Sequence, residues 1–300
     1  MESRSSTESV PSVSAIFGSS VSMSHVRELA QHAALVHSPV FIHGPTGSGK
    51  EVLARYLHLI SPWNRGPFLK IHCPTEPELL ETELFGFDKG AFPGASANKP
   101  GLLELASEGT LLLDDISELD LRLQEKLLRV LREGTFTSIG GQRPRSTHVR
   151  IMSTANRTLE TAVEAGQFRQ DLFERLAAIS LGMPPLRERI GDLPAIARYM
   201  LSHFAEMLGS PVRPLPSAAM RRLVSYQWPG NIRELENVLF QYALTKASLA
   251  PLPSLALPTG QGESAGSLAV SAELKQRRSK KMLQPGAAGN SFHGAPERQR

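Results

Sequence analysis

Gly44-Pro45-Thr46-Gly47-Ser48-Gly49-Lys50-Glu51 decides the fold of this chain. The apolar run Val-Phe-Ile-His over 40–43 precedes it, and a segment of helical periodicity over 51–60 follows. A strand, a glycine loop and a helix in that order are what a phosphate-binding loop requires. Glycines let backbone N–H groups turn inward around a β-phosphate, and the helix N-terminus adds partial positive charge. Lys50 has the reach to meet the β- and γ-phosphates. A glycine-rich turn that holds no nucleotide is the alternative, and the flanking strand and helix argue against it. Glu51 stands where P-loops in general place the Ser or Thr that touches magnesium, so a metal must lean on other groups.

Those groups are offered by Gly109-Thr-Leu-Leu-Leu-Asp114-Asp115, an apolar run ending in two carboxylates. A parallel sheet would deliver them to the same edge as the P-loop, where Asp114 suits magnesium and Asp115 suits an attacking water. Helix-capping aspartates look the same, and Ile116-Ser-Glu-Leu-Asp-Leu-Arg-Leu-Gln-Glu-Lys-Leu-Leu-Arg-Val-Leu131 reads as one helix. It is the pairing with a P-loop that gives the two acids their meaning. A third apolar run, Val149-Arg-Ile-Met-Ser-Thr-Ala-Asn156, completes a pattern of short runs alternating with longer helix-period segments. That alternation predicts an α/β domain, a parallel sheet covered by helices. Beyond Pro184 the periodicity is helical in three successive segments, which predicts a small α-helical lid. The expected organisation is a disordered arm over 1–13, an α/β nucleotide-binding part over 14–183, a helical lid over 184–250, and a linker with a basic tail over 251–300.

Composition agrees with a large folded body. With 300 residues, 41% of them hydrophobic, the chain can bury one large core and a smaller one, which excludes a disordered protein. The single Cys73 allows no internal disulfide. No apolar run approaches the roughly 20 residues of a membrane span, and the N-terminus lacks the apolar core of a secretory signal. The expected setting is a reducing cytoplasm without membrane contact. Residues 271–300 carry seven Lys/Arg against two Asp/Glu, so the net charge of +4 resides in the tail and the rest of the chain is close to neutral. A solvated tail accounts for that; a weak contact with DNA is the alternative.

Seven blocks occur in fixed order over 16–247: GPTGSGKE, ETELFGFDKGAFPGA, GTLLLDDI, LLRVLREG, FRQDLFERL, PPLRER and WPGNIRELENV. In order and spacing they resemble the AAA+ domain of the sigma-54-dependent transcription activators. The resemblance implies ATP as the nucleotide, Mg2+ as its metal and sigma-54 RNA polymerase as the target. It also implies a ring of identical or homologous subunits, usually a hexamer, in which ATP binds between neighbours. It assigns Lys50 and the P-loop to the phosphates, Asp114 to magnesium and Asn156 to sensing the γ-phosphate. Arg169 and Arg175 become arginine fingers offered to a neighbour's ATP, and Arg233 becomes a second sensor on the lid. For the two fingers, ion pairing with Asp171 and Glu174 is the reading of the residues alone. Trp228 and Pro229 read as lid packing. Gly90-Ala91-Phe92-Pro93-Gly94-Ala95 falls where the family carries its sigma-54-contacting loop, with Phe92 as an exposed aromatic anchor and the preceding ELFGFDKG as the helix that carries it.

Several working positions depart from the family. Pro93 replaces Thr, removing an N–H and a hydroxyl from a loop that must change shape. Asp115 replaces Glu, which retracts the carboxylate by about 1.5 Å. His72 replaces the Asn that restrains the catalytic acid, and Ala155 replaces a Thr beside the sensor. Nothing after 250 has the periodicity of a helix-turn-helix, so promoter or enhancer DNA would be met without one. This layout is similar to that of small activators of type III secretion in plant-associated bacteria, some of which form mixed rings. Three readings follow: an ATP-hydrolysing sigma-54 activator, a poorly catalytic subunit lending arginine fingers to an active partner, and a decayed copy.

Overall fold

The structure, a computed structural model, describes residues 11–156 and 158–244. The expected linker and basic tail, and the arm over 1–10, lie outside the described residues. The central sheet has five strands, β1 (Val40–His43), β2 (Phe68–His72), β3 (Thr110–Asp114), β4 (Arg150–Ala155) and β5 (Ile179–Gly182). Their order across the sheet is β2-β3-β4-β1-β5, and each neighbouring pair is parallel. All five C-terminal ends therefore lie on one edge, which brings the P-loop after β1, the acids at the end of β3 and Asn156 after β4 to the same rim.

The three apolar runs form β1, β3 and β4, and every residue of β4 is buried. The two edge strands carried no such signal. β2 reads Phe-Leu-Lys-Ile-His, with only Ile71 buried.

Alternation along the strands feeds two cores. Ile71, Leu111, Leu113 and Ile151 pack against Leu80 and Leu84 of α3 (Pro77–Phe85), Leu123 and Leu127 of α4 (Leu121–Glu133) and Leu172 of α5 (Gln170–Leu176). On the other face Ile42, Leu112, Met152 and Leu181 meet Met23, Val26 and Ala30 of α1 (Val21–Ala34) and Leu53 and Leu57 of α2 (Lys50–Leu59). Arg150 is a charged residue buried in β4. Its buried guanidinium donates to the carbonyls of Ala33 and Ala34 at the end of α1 and lies 5.4 Å from the Trp63 ring. The C-terminal carbonyls of a helix favour a cation, and burial holds the Arg150 pKa down to about 10.

The expected lid is present as α6 (Leu193–Leu208), α7 (Ser217–Ser225) and α8 (Asn231–Leu244). Phe204 of α6 meets Phe240 of α8 edge-on at 5.2 Å. Trp228 is buried, and its Nε1 donates to the Leu223 carbonyl at 2.8 Å.

Two expected helices are corrected. The run from Ile116 is a single 3-10 turn, Ile116–Glu118, followed by a break, and α4 begins only at Leu121, where the Asp120 side chain accepts from the Arg122 N–H at 2.9 Å. Asp120, a favoured N-cap residue, sets the start of the helix there. ELFGFDKG is not one helix either: α3 stops at Phe85, Gly86 takes φ +70°, and Gly86–Phe87 pairs antiparallel with Lys99–Pro100.

The chain's entry is clamped by Asp192, which precedes α6. Its buried carboxylate accepts from the N–H groups of Ser19 and Ser20, at 2.7 and 2.9 Å, and from the Ser20 hydroxyl. Asp192→Ala would leave those donors without their acceptor and remove the charge beside Arg189. It should lower the unfolding free energy by about 3 kcal/mol, read from urea unfolding. A loss under about 0.5 kcal/mol, the ordinary effect of a surface change, would show that the clamp contributes little.

Candidate functional site

The P-loop is held by its carbonyls. The Lys50 ammonium donates to Gly44 O at 2.9 Å, Asn231 Nδ2 to Thr46 O at 2.9 Å, the Ile232 N–H to Gly47 O at 2.9 Å, and the Arg189 guanidinium to Ser48 O. Three of these four donors come from outside the loop, two of them from the start of the lid helix α8. Two loop amides are already engaged, the Gly44 N–H with Ala155 O at 3.2 Å and the Ser48 N–H with Pro45 O at 3.1 Å, while the first amides of α2 have no partner within their helix and can face an anion. The close approach of the lid also requires glycine at one position. Gly47 has φ +76°, and a Cβ there would stand 2.5 Å from Gly230 O.

Lys50 is buried between Gly44 O, Pro45 O and Asn156 Oδ1, the last at 2.9 Å. Burial lowers its pKa, and the carboxylates of Asp115 and Asp114 offset part of that effect. Asn156 also accepts from the Thr46 hydroxyl at 3.0 Å, so the expected sensor touches both the loop and its lysine. Arg233 is exposed on the first turn of α8, with its Cβ 3.1 Å from the place a Gly47 Cβ would occupy. It therefore borders the loop from the lid side.

At the end of β3 the two acids differ. Asp114 Oδ1 accepts from the Thr154 hydroxyl at 2.7 Å, and Oδ2 lies 2.8 Å from the Lys70 ammonium. Burial would raise the Asp114 pKa, but hydrogen bonds from Lys70 and Thr154 outweigh it and hold the carboxyl below its ordinary value. Asp115 takes a left-handed φ of +57°, which Asp tolerates better than most residues, and its N–H donates to Thr154 Oγ1 at 3.1 Å. His72 Nδ1 lies 3.7 Å from Asp114 Oδ2, beyond a hydrogen bond. One ligand atom from each of His72, Asp114 and Asp115 falls within 4.8 Å of the others. Carboxylate oxygens are the donors magnesium prefers, so the pair fits that ion, though one Asp114 oxygen already faces an ammonium. Glu51 points away from a metal role: it pairs with Arg55 at 2.9 Å and with Lys70 at 2.6 Å.

Arg169 occupies the N-cap position of α5 and is paired with Asp171 at 2.8 Å. Arg175, in the last turn of α5, is exposed and donates to Leu131 O at 3.2 Å. Glu174 bonds Gln170 at 2.7 Å. The ion pairing expected from the residues alone thus holds for Asp171 but not for Glu174.

The loop Gly90–Ala95 is closed by the Gly90 N–H to Ala95 O at 2.9 Å, with positive φ at Gly90 and Gly94. Phe92 and Pro93 are exposed, yet the Phe92 ring meets Phe87 edge-on at 4.9 Å, so its own subunit does offer the aromatic a partial seat. Ala95 is buried, and Ala91 lies against Gly140. At the loop's root, Asp88 accepts from Ser138 and Arg145, at 2.8 and 2.7 Å.

Four contributors escaped the sequence reading. Asn231 and Arg189 lie inside motifs already singled out, but only burial shows that they hold the P-loop. Thr154 links the two acids from the neighbouring strand. The signal for Lys70 was its place two residues before His72, on the same face of a strand in register with β3.

Comparison with known proteins places these features in one family. The model described as Sigma-54 interaction domain matches residues 16–182, and the AAA+ ATPase lid domain matches 187–258. The transcriptional regulatory protein FlbD of Caulobacter vibrioides is 42% identical over 254 residues, covering 79% of this chain and 56% of that protein. The DNA-binding transcriptional regulator NtrC of Azospirillum brasilense is 40% identical over 273 residues, covering 87% and 56%. The chain thus spans about half the length of these curated relatives. Among solved structures, NtrX from Brucella abortus in complex with ATP superposes with a TM-score of 0.73 at 31% identity, covering 88% of this chain and 61% of that one.

The Asp114 pKa lies below its ordinary carboxylate value in the folded state, so the protonated form is disfavoured there. The stability this contributes is full above the unfolded value of about 4 and is lost as pH falls through the lower, folded value. Comparing Asp114→Asn with the native chain in urea from neutral to acid pH should show a stability difference that shrinks below about pH 4. A difference constant across that range would mean that the carboxylate draws nothing from Lys70 and Thr154.

Proposed function

The chain belongs to the sigma-54 interaction domain family, with a AAA+ lid, and from that premise we propose that it binds ATP at the P-loop and couples hydrolysis to remodelling of sigma-54 RNA polymerase. The observation that carries this reading is the P-loop fixed by its carbonyls, with Lys50 and Asn156 converging on it from α2 and β4. A triphosphate entering the cradle would draw Lys50 off Gly44 O and Asn156. The amides of the loop and of the first turn of α2 would then meet the β-phosphate. Magnesium, when bound, would neutralise charge on the β- and γ-oxygens, held on the protein side by Asp114.

Asp115 is the residue to direct an attacking water, since its carboxylate stands on the same rim as Lys50. Arg169 and Arg175 would act on a neighbour's nucleotide. Among the described residues Arg175 is held by a backbone carbonyl, whereas Arg169 must first leave Asp171. A site completed in trans makes hydrolysis depend on assembly into a ring of this chain or of homologous chains. Phe92 and the exposed Pro93 would meet sigma-54, and Arg233 would report the nucleotide to the lid. The relatives matched are transcriptional regulators, which favours an activator over a subunit that only lends arginines. Promoter or enhancer DNA would be met weakly through the basic tail, and the protein would act in the cytoplasm.

Titration of the full chain with ATP in a calorimeter should show one site per chain, and Lys50→Ala should abolish the signal. Equal affinity in the variant would remove the P-loop from the reading. Any phosphate release should also rise more steeply than in proportion to protein concentration and fall by on the order of a thousandfold in Arg175→Ala. Activity proportional to protein down to concentrations at which sedimentation finds only monomer would rule out a neighbour's contribution.

A further inference from the structure

Lys70 has no part in the reading above, yet it sits on the carboxylate that reading assigns to the metal. It projects from the edge strand β2 on the same face as His72, and β2 runs in register with β3 so that His72 stands opposite Asp114. Its ammonium lies 2.8 Å from Asp114 Oδ2 and 2.6 Å from Glu51 Oε2. Glu51 is in turn fixed by two hydrogen bonds from Arg55, at 3.1 and 2.9 Å. The ammonium is therefore held from two sides, and it cannot swing clear of Asp114 without leaving one ion pair and straining the other.

Both oxygens of Asp114 are thus occupied, but by groups of different kinds. The Thr154 hydroxyl on Oδ1 can rotate and offer its own lone pairs to a cation. An ammonium has only donors and a fixed positive charge, so it can do nothing but oppose a divalent ion. A lysine ammonium keeps its charge at neutral pH, and the two ion pairs hold it beside Asp114.

We propose that Lys70 is a tethered cation that competes with magnesium for Asp114 and raises the magnesium concentration this chain needs. The inference rests on the P-loop reading for its purpose, but the competition itself concerns only Lys70, Asp114 and a divalent ion. Removing the charge should free an Asp114 oxygen and strengthen metal binding, although Lys70 is not itself a ligand. Most changes beside a metal site weaken binding, so a gain is the distinguishing sign.

The test uses the full chain, free of nucleotide, titrated with Mn2+ as a paramagnetic stand-in for magnesium and read by the loss of the free-ion resonance. Lys70→Gln and Lys70→Ala remove the charge, with and without its stem, and Lys70→Arg keeps it; thermal unfolding confirms that each is folded. The two neutral variants should bind Mn2+ on the order of tenfold more tightly than the native chain, with Lys70→Arg close to native. Equal or weaker Mn2+ binding by the neutral variants, or an arginine variant that matches them, would overturn the proposal. A parallel titration of magnesium at a fixed concentration of a fluorescent ATP analogue should show the half-saturating magnesium falling by a similar factor. Absence of analogue binding by every protein, with magnesium or with a chelator, would defeat the ATP reading, while the Mn2+ titration would still decide the role of Lys70.

Discussion

A phosphate-binding loop works by presenting N–H groups, and backbone N–H and C=O groups of one loop compete for direction. In this chain that competition is decided from outside. Asn231 and the Ile232 N–H take the carbonyls of Thr46 and Gly47, and Arg189 takes that of Ser48. The lid helix therefore reaches the loop as a structural partner. The same Asn231 accepts from the Leu186 N–H at 2.9 Å, which ties the loop, the segment entering the lid and α8 through one buried side chain. A change in any one of these elements must be felt by the other two.

The acid edge is built on a similar economy of contacts. Thr154 from the central strand β4 serves both aspartates, bonding the carboxylate of Asp114 and receiving the N–H of Asp115. Lys70 adds a cation from the sheet edge. From Asp115 the chain runs through the 3-10 turn and α4 to Ser138 and Arg145, which hold Asp88 at the root of the Gly90–Ala95 loop. The acids and the exposed loop are thus linked by one continuous stretch of ordered chain.

Much of the fold was legible because its central strands are buried on both faces and read as unbroken apolar runs, and because the P-loop has few other uses. β2 was not legible, since Lys70 and His72 interrupt its apolar character and an edge strand needs only one buried face. The break before α4 was hidden because Ile116 and Leu119 keep the helical spacing while Asp120 caps the helix in their wake. Within the site, motif residues such as Lys50 and Asn156 could be named from sequence. Arg189 and Asn231 could not be given a role that way, because their work is to hold backbone carbonyls, and a carbonyl leaves no trace in the residue that carries it.

The proposed ATP site joins the P-loop and the first turn of α8 in a single anion cradle. Amide hydrogen exchange with and without ATP tests it most directly, because it reads the N–H groups themselves. The account predicts that ATP slows exchange in residues 44–52 and, together with them, in residues 229–236, while the Gly90–Ala95 loop changes separately or not at all. Protection confined to some other part of the chain, or protection of the P-loop with the lid segment left unaltered, would contradict it.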